Sequence, residues 1–174
     1  MTACQVQALQ AAAHAGFFIP KATIDKCVRY LKACQDLRGT GGFRYQSQLV
    51  GRAGFARTAA GTLGLMNSGL RDSDEVKNGM QFLANFKPGK PQNDQDAKMF
   101  FYYGHYYAGQ AKWLAGGLDG RHWFAAVRDE LLRADERLVK DGGWNDAVHC
   151  RHLCTAMALC VLQLPNNYLP MCAR

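Results

Sequence analysis

Met99 to Trp113 reads MFFYYGHYYAGQAKW, and the interpretation of this run decides the fold. It holds seven aromatic residues and one histidine within the length of a helix, with Gly104 and Gly109 inside it. A surface helix keeps one polar side, and this run has almost none, so it is expected to be an inner helix with neighbours on several sides. Glycine in a helix interior costs about 1 kcal/mol against alanine, so these two point to close helix approach rather than to propensity.

Working outward, helices of two kinds alternate. Thr2 to Ala15 is alanine-rich without a breaker before Gly16. Pro20 opens a second helix, where its missing amide hydrogen costs nothing. There Ile24, Cys27, Val28, Leu31 and Cys34 share one side, and Asp25, Lys26, Arg29 and Lys32 the other, which predicts an amphipathic outer helix. Thr58 to Met66 is small and apolar nearly all round. Asp72 to Phe86 is amphipathic, with acids at its dipole-favourable start. The aromatic run follows, then the amphipathic Trp123 to Leu138. Thr155 to Leu164 is the last inner helix, stopped by Pro165, and a tail follows it.

The alternation has a period of about 50 residues, which marks a repeat architecture. A loop supplies the register. Leu31-x-x-x-Gln35 leads to Gly41-Gly42-Phe43, and Leu132-x-x-x-Glu136 leads to Gly142-Gly143-Trp144. The offset from the Gln or Glu to the aromatic ring is the same in both; a copy near Leu83 and Gly89 is degenerate. Glycines permit the tight exit from the helix, and the ring can pack back over the polar side chain at the helix end.

This loop and alternation resemble the prenyltransferase and squalene-oxidase repeat, over residues 2 to 168. The resemblance is to the terpenoid cyclase and protein prenyltransferase α/α toroids, especially bacterial relatives of the C-terminal half of squalene–hopene cyclase. It implies an all-α fold in which repeated helical hairpins line and clad a ring around an apolar cavity. Residues 1–174 then form a single domain. With inner helices near residues 2, 55, 97 and 150 and only three outer ones, the expected shape is an incomplete toroid, about half a ring. A missing N-terminal half or self-association would complete it, because uncovered inner helices expose an apolar edge.

The composition suits a globular domain, with 48% hydrophobic and 20% charged residues. Net charge is +7, but Arg121, Arg128, Arg133 and Arg137 are interspersed with Asp119, Asp129, Glu130, Asp135 and Glu136. That is a solvated helix face, and no basic block interleaved with aromatics argues for nucleic acid. Seven cysteines at helical spacings suggest buried thiols in a reducing compartment. The longest apolar run, Ala156 to Leu164, is too short to span a bilayer, and Met1 begins no signal-peptide pattern. A cytoplasmic chain, or one peripheral to a membrane, is expected.

Each candidate for chemistry has a plainer explanation beside it. The resembling cyclases protonate an alkene with the central acid of an Asp-x-Asp-Asp motif. Here the nearest strings are Asp72-Ser73-Asp74-Glu75, better read as helix-start acids, and Asp94-Gln95-Asp96-Ala97, which lacks the third carboxylate and suits a cap. Asp94 and Asp96 remain the catalytic candidates. The resembling prenyltransferases hold zinc on Asp, Cys and His, but Asp141-Gly142-Gly143 lacks the thiolate. His149 and His152 fall on one side of a regular helix and Cys150 and Cys154 on the other, so no metal and no cofactor is expected.

Phe101, Tyr102, Tyr103, His105, Tyr106 and Tyr107 could line a ligand cavity, their ring faces attracting a cation by roughly 0.5 to 2 kcal/mol each. Ordinary helix packing explains them as well. Arg44, Arg52 and Arg57 flank the start of an inner helix, where guanidinium groups and helix amides could hold a diphosphate. The resemblance therefore implies a terpene-cyclase-like toroid domain binding an isoprenoid or similar apolar ligand; were it active, it would be an isomerase or transferase of that kind. The other reading is a non-enzymatic helical-repeat module that binds protein.

Overall fold

In a computed structural model, residues 2–47, 51–89, 94–133, 142–146 and 148–166 are described. Among them the secondary structure is helical, with no β-strand and an isolated bridge between Gln35 and Phe43. The elements are α1 (Thr2–His14), α2 (Lys21–Cys34), α3 (Phe55–Asn67), α4 (Asp74–Leu83), α5 (Gln95–Met99), α6 (Phe101–Ala115), α7 (Gly117–Leu132) and α8 (Arg151–Leu162), followed by a 3-10 turn at Leu164–Asn166.

Two helices carry the core. In α3, eleven of thirteen residues are buried, and in α6 eleven of fifteen. These are the segments without a polar side, and burial all round is what such a pattern requires. They pack on each other; α1 lies against α3, and α8 against α6. Of the amphipathic helices, α2 covers α1 and α3, α4 covers α3, and α7 covers α6. The row α1, α3, α6, α8 thus has its apolar middle clad and its two ends less covered. Only Ala3, Val6 and Gln7 are buried in α1, and only Cys154, Ala158 and Val161 in α8.

Close approach explains the interior glycines. A Cβ on Gly104 would lie 2.6 Å from the Phe55 ring and 3.4 Å from the Cα of Ala56, so the α3–α6 contact needs the bare backbone. Between α1 and α6, the buried Gln7 amide donates to Gln110 Oε1 at 2.6 Å, and Gln110 in turn donates to the Tyr106 carbonyl at 2.9 Å. A chain of hydrogen bonds from Gln7 through Gln110 to the backbone thus gives these buried polar groups partners inside an apolar layer.

The two glycine–aromatic loops end in the same way. Phe43 N–H donates to Thr58 Oγ1 at 2.9 Å, and Trp144 N–H donates to Thr155 Oγ1 at 3.0 Å. Each threonine stands on the next helix of the inner row. Gln35, which closes α2, donates from Nε2 to the carbonyls of Gly41 and Glu75, both at 2.8 Å, so it ties loop and outer helix together. Phe43 is buried against Gly61, whose missing side chain makes room for the ring. Trp144 Nε1 donates to the Leu131 carbonyl at 2.9 Å. Glu136, the counterpart of Gln35, and Asp141 lie outside the described residues, as does the end of the expected Trp123–Leu138 helix.

Three boundaries differ from expectation. The aromatic run is broken at Phe100 (φ −115°, ψ 42°), which separates the five-residue α5 from α6. A sequence pattern apolar on every side contains no signal for such a break. Helix α7 begins at Gly117, six residues before Trp123, because Gly116 (φ 76°) and Gly117 (φ 70°) turn the chain at once after α6. Helix α8 starts at Arg151 and ends at Leu162, with Pro165 inside the 3-10 turn rather than at the helix end.

Candidate functional site

A cavity of about 370 Å3 opens beside the inner row. Its walls come from the start of α1 (Thr2, Ala3), the end of α2 (Tyr30, Leu31, Cys34), the loop Phe43–Arg44–Tyr45 and the first two turns of α3 (Ala56, Arg57, Ala60, Gly61). Asp96, Phe100, Tyr103 and His149 complete them. The volume lies in the range usual for small-molecule sites, about 300 to 1,000 Å3, and the lining mixes apolar and aromatic surface with polar and charged side chains.

Two of those polar groups are guanidinium ions. Arg44 sits one residue past the buried ring of Phe43, and Arg57 lies in the first turn of α3. The Nε of each is buried without a hydrogen-bond partner. Asp96 holds Arg57 through Nη2 at 3.1 Å and also accepts the Ala56 N–H at 2.8 Å, which secures one of the free amides at the start of α3. Its side chain is 8% exposed. Asp94 accepts the Ala97 N–H at 2.8 Å as the cap of α5. Both acids named from the sequence are therefore occupied as acceptors at helix starts. Asp96 lines the cavity and Asp94 does not. In the other acidic string, Ser73 caps α4 and Glu75 pairs with Lys32 at 2.7 Å.

The aromatic candidates separate by helix face. Tyr103 lines the cavity, together with Phe100 from the break before α6. Phe101, Tyr102, His105 and Tyr107 are buried in the core. His105 is ringed by Phe101, Phe55 and Trp123, at centroid distances of 4.3, 5.1 and 5.6 Å. Tyr102 donates to the Asn145 carbonyl at 3.3 Å. The Tyr107 hydroxyl lies 2.9 Å from Cys4 Sγ, and burial raises the pKa of both Tyr103 and Tyr107 well above the ordinary phenol value, keeping them neutral. Tyr106 is half-buried with its ring 4.9 Å from that of Tyr107. Of the residues proposed for a cavity, the structure thus brings Tyr103 and Arg57 together. Arg52 is exposed and lies apart from the walls.

Several lining residues carried no signal in a one-dimensional reading. Tyr30 and Cys34 sit on an outer helix, Thr2 and Ala3 begin the chain, and His149 comes from the loop after Trp144. Segments about a hundred residues apart meet here, and no local pattern records that meeting.

At the His149 side three ligand-type groups converge. Asp146 Oδ1 accepts the N–H groups of Val148 and His149, at 2.8 and 2.6 Å, and its Oδ2 lies 3.0 Å from His149 Nδ1. Cys154 Sγ joins them, with one ligand atom from each residue within 4.8 Å of the others. Burial works against ionisation of Asp146, but the bonds from His149 and Val148 outweigh it and hold the carboxyl below its usual range. Burial pushes the Cys154 thiol up to about 11. The expectation that His149 and Cys154 diverge assumed a helix running through both. Helix α8 starts only at Arg151, so His149 belongs to the preceding turn and its ring reaches the Cys154 side.

The described cysteines, Cys4, Cys27, Cys34, Cys150, Cys154 and Cys160, are free thiols. No described helix is long and apolar enough to cross a membrane. No family model, no curated protein and no solved structure matches the chain.

Proposed function

We propose that this chain is a wall segment of a terpenoid-cyclase-like α/α toroid, and that its cavity holds an isoprenoid-type ligand with an anionic end. The repeat half of this reading is supported by the two glycine–aromatic loops, whose ring residues each donate their amide to a threonine on the next inner helix. It is supported too by the row of inner helices with cladding helices outside it.

The ligand half rests on one observation above all: two arginines line an apolar cavity with a buried, unpartnered Nε each. Leaving such a donor unsatisfied costs about 1 to 3 kcal/mol, a cost recovered if an anion in the cavity turns the guanidinium so that its Nε is bonded. Phe43, Phe100 and Tyr103 supply the apolar surface for the rest of the ligand. The reading is one of binding. Asp94 and Asp96 are engaged with backbone amides, and Asp96 also with Arg57, so neither is assigned the protonation of an alkene.

Equilibrium binding of a labelled prenyl diphosphate and of the matching prenyl alcohol tests this. Arg44→Met and Arg57→Met should each weaken the diphosphate by about 10- to 100-fold, the worth of a charged hydrogen bond, and leave the alcohol nearly unchanged. If neither compound is retained at high protein concentration, the ligand reading is lost.

A second reading, a non-enzymatic helical-repeat module that binds protein, is favoured by the apolar groups left outside. Leu153 and Leu159 of α8 are 38% and 47% exposed, and Phe17 and Phe18 after α1 are 69% and 88% exposed. These lie on the two less covered ends of the inner row.

A further inference from the structure

We infer that Asp146, His149 and Cys154 form a binding site for one zinc-like divalent ion beside the cavity. Among the described residues they are the only group of three or more His, Cys, Asp and Glu side chains whose ligand atoms gather in this way. The proposal is independent of the anion site at Arg44 and Arg57. It also differs from the position suggested by resemblance, since Gly143 has no side chain to offer.

The donor set fits the chemistry. One thiolate, one imidazole and one carboxylate suit zinc, which takes sulfur at about 2.3 Å and nitrogen or oxygen at about 2.0 to 2.2 Å. Tetrahedral geometry at those bond lengths separates nitrogen and oxygen ligands by roughly 3.3 Å and pairs that include sulfur by roughly 3.5 Å. His149 Nδ1 and Asp146 Oδ2 stand 3.0 Å apart, nearly that spacing already. The upper separation of 4.8 Å asks for an inward movement of about 1 Å by side-chain rotation.

Support for the ligands is in place. Asp146 is fixed by two backbone amides on Oδ1, which leaves Oδ2 to the ion. The His149 ring stacks edgewise on Phe100 at 5.7 Å. The side chains of His149 and Asp146 are only 16% and 12% exposed, and Cys154 is fully buried, so bulk water competes weakly. On binding, bonds form from the ion to Sγ, to an imidazole nitrogen and to a carboxylate oxygen. The thiol proton leaves to the buffer, and the Asp146–His149 contact is replaced by shared coordination. Three protein ligands leave the fourth position for water or an exogenous donor, and His149 is the member of the trio that also lines the cavity.

The test uses the whole chain, reduced and stripped of metal, titrated with zinc and separately with cobalt(II). The expected result is one equivalent per chain, with a thiolate-to-cobalt charge-transfer band and release of about one proton at neutral pH. Cys154→Ser should abolish the band, while Cys150→Ser, at the exposed neighbouring thiol, should keep it. His149→Gln and Asp146→Asn should weaken the ion while retaining the thiolate band, which covers the case that the Cys154 variant fails to fold. Wild-type protein that takes up no cobalt overturns the site and leaves the trio as a lock on the turn before α8. A band that survives Cys154→Ser, or vanishes with Cys150→Ser, also overturns it.

Discussion

Thr58 is fully buried and accepts the amide of Phe43, a ring equally buried. Replacing its hydroxyl by a methyl keeps the shape and orphans that amide. Thr58→Val should therefore cost about 1 to 3 kcal/mol in urea unfolding, the penalty for an unsatisfied buried donor. A loss below about 0.5 kcal/mol would mean the loop finds another acceptor.

A second residue-scale effect is pH-dependent. The Lys32 ammonium at 2.7 Å is the main cause holding the Glu75 carboxyl below its usual 4.5, against a smaller opposing effect of burial. A depressed carboxylate stabilises the fold above its unfolded pKa, and that contribution is lost as pH falls through the folded value. The melting temperature of the native chain should accordingly decline below about pH 4.5, and Glu75→Gln should flatten part of that decline. Identical acid profiles for the two proteins would show that the pair carries no linkage.

At the scale of elements, the contact between α3 and α6 controls the core. Gly104 stands where Phe55 and the Ala56 backbone come closest, and Phe55 is itself fully buried. Alanine there improves helix propensity by about 1 kcal/mol, yet it places a methyl 2.6 Å from the Phe55 ring. Overpacking of a closed core costs about 1 to 3 kcal/mol, so Gly104→Ala should destabilise the protein on balance. An increase in melting temperature would show that propensity wins and that the helices can separate. The same closeness leaves Tyr103 facing the cavity while Phe101, Tyr102 and Tyr107 are taken up by packing. One aromatic helix thus builds both a core and one part of a cavity wall.

For the whole molecule, the question is what covers the ends of the inner row. Helix α8 buries three residues and leaves Leu153 and Leu159 exposed, while α3 and α6 in the middle are enclosed. Exposed apolar side chains at an uncovered end of the row favour association. The chain should self-associate in sedimentation experiments, and Leu153→Glu with Leu159→Glu should shift it toward monomer without loss of helicity. A native chain that already sediments as a single monomer at high concentration would remove this expectation.

Helix identity was legible in the residues because it depends on local periodicity and breakers. Thr2, Pro20 and the apolar stretch around Thr58 set α1, α2 and α3 to within about three residues, the usual uncertainty of such boundaries. The glycine–aromatic loops were legible for the same reason, since Gly41 takes a positive φ of 73° where a side chain would be strained. The break at Phe100, the start of α8 at Arg151 and the convergence of Asp146, His149 and Cys154 were decided only in three dimensions. So was the division of the tyrosines between core and cavity. Residues on α1, α2 and α3 meet His149 there, and which face of a uniformly apolar helix looks into that space depends on its neighbours, which the helix's own pattern does not encode.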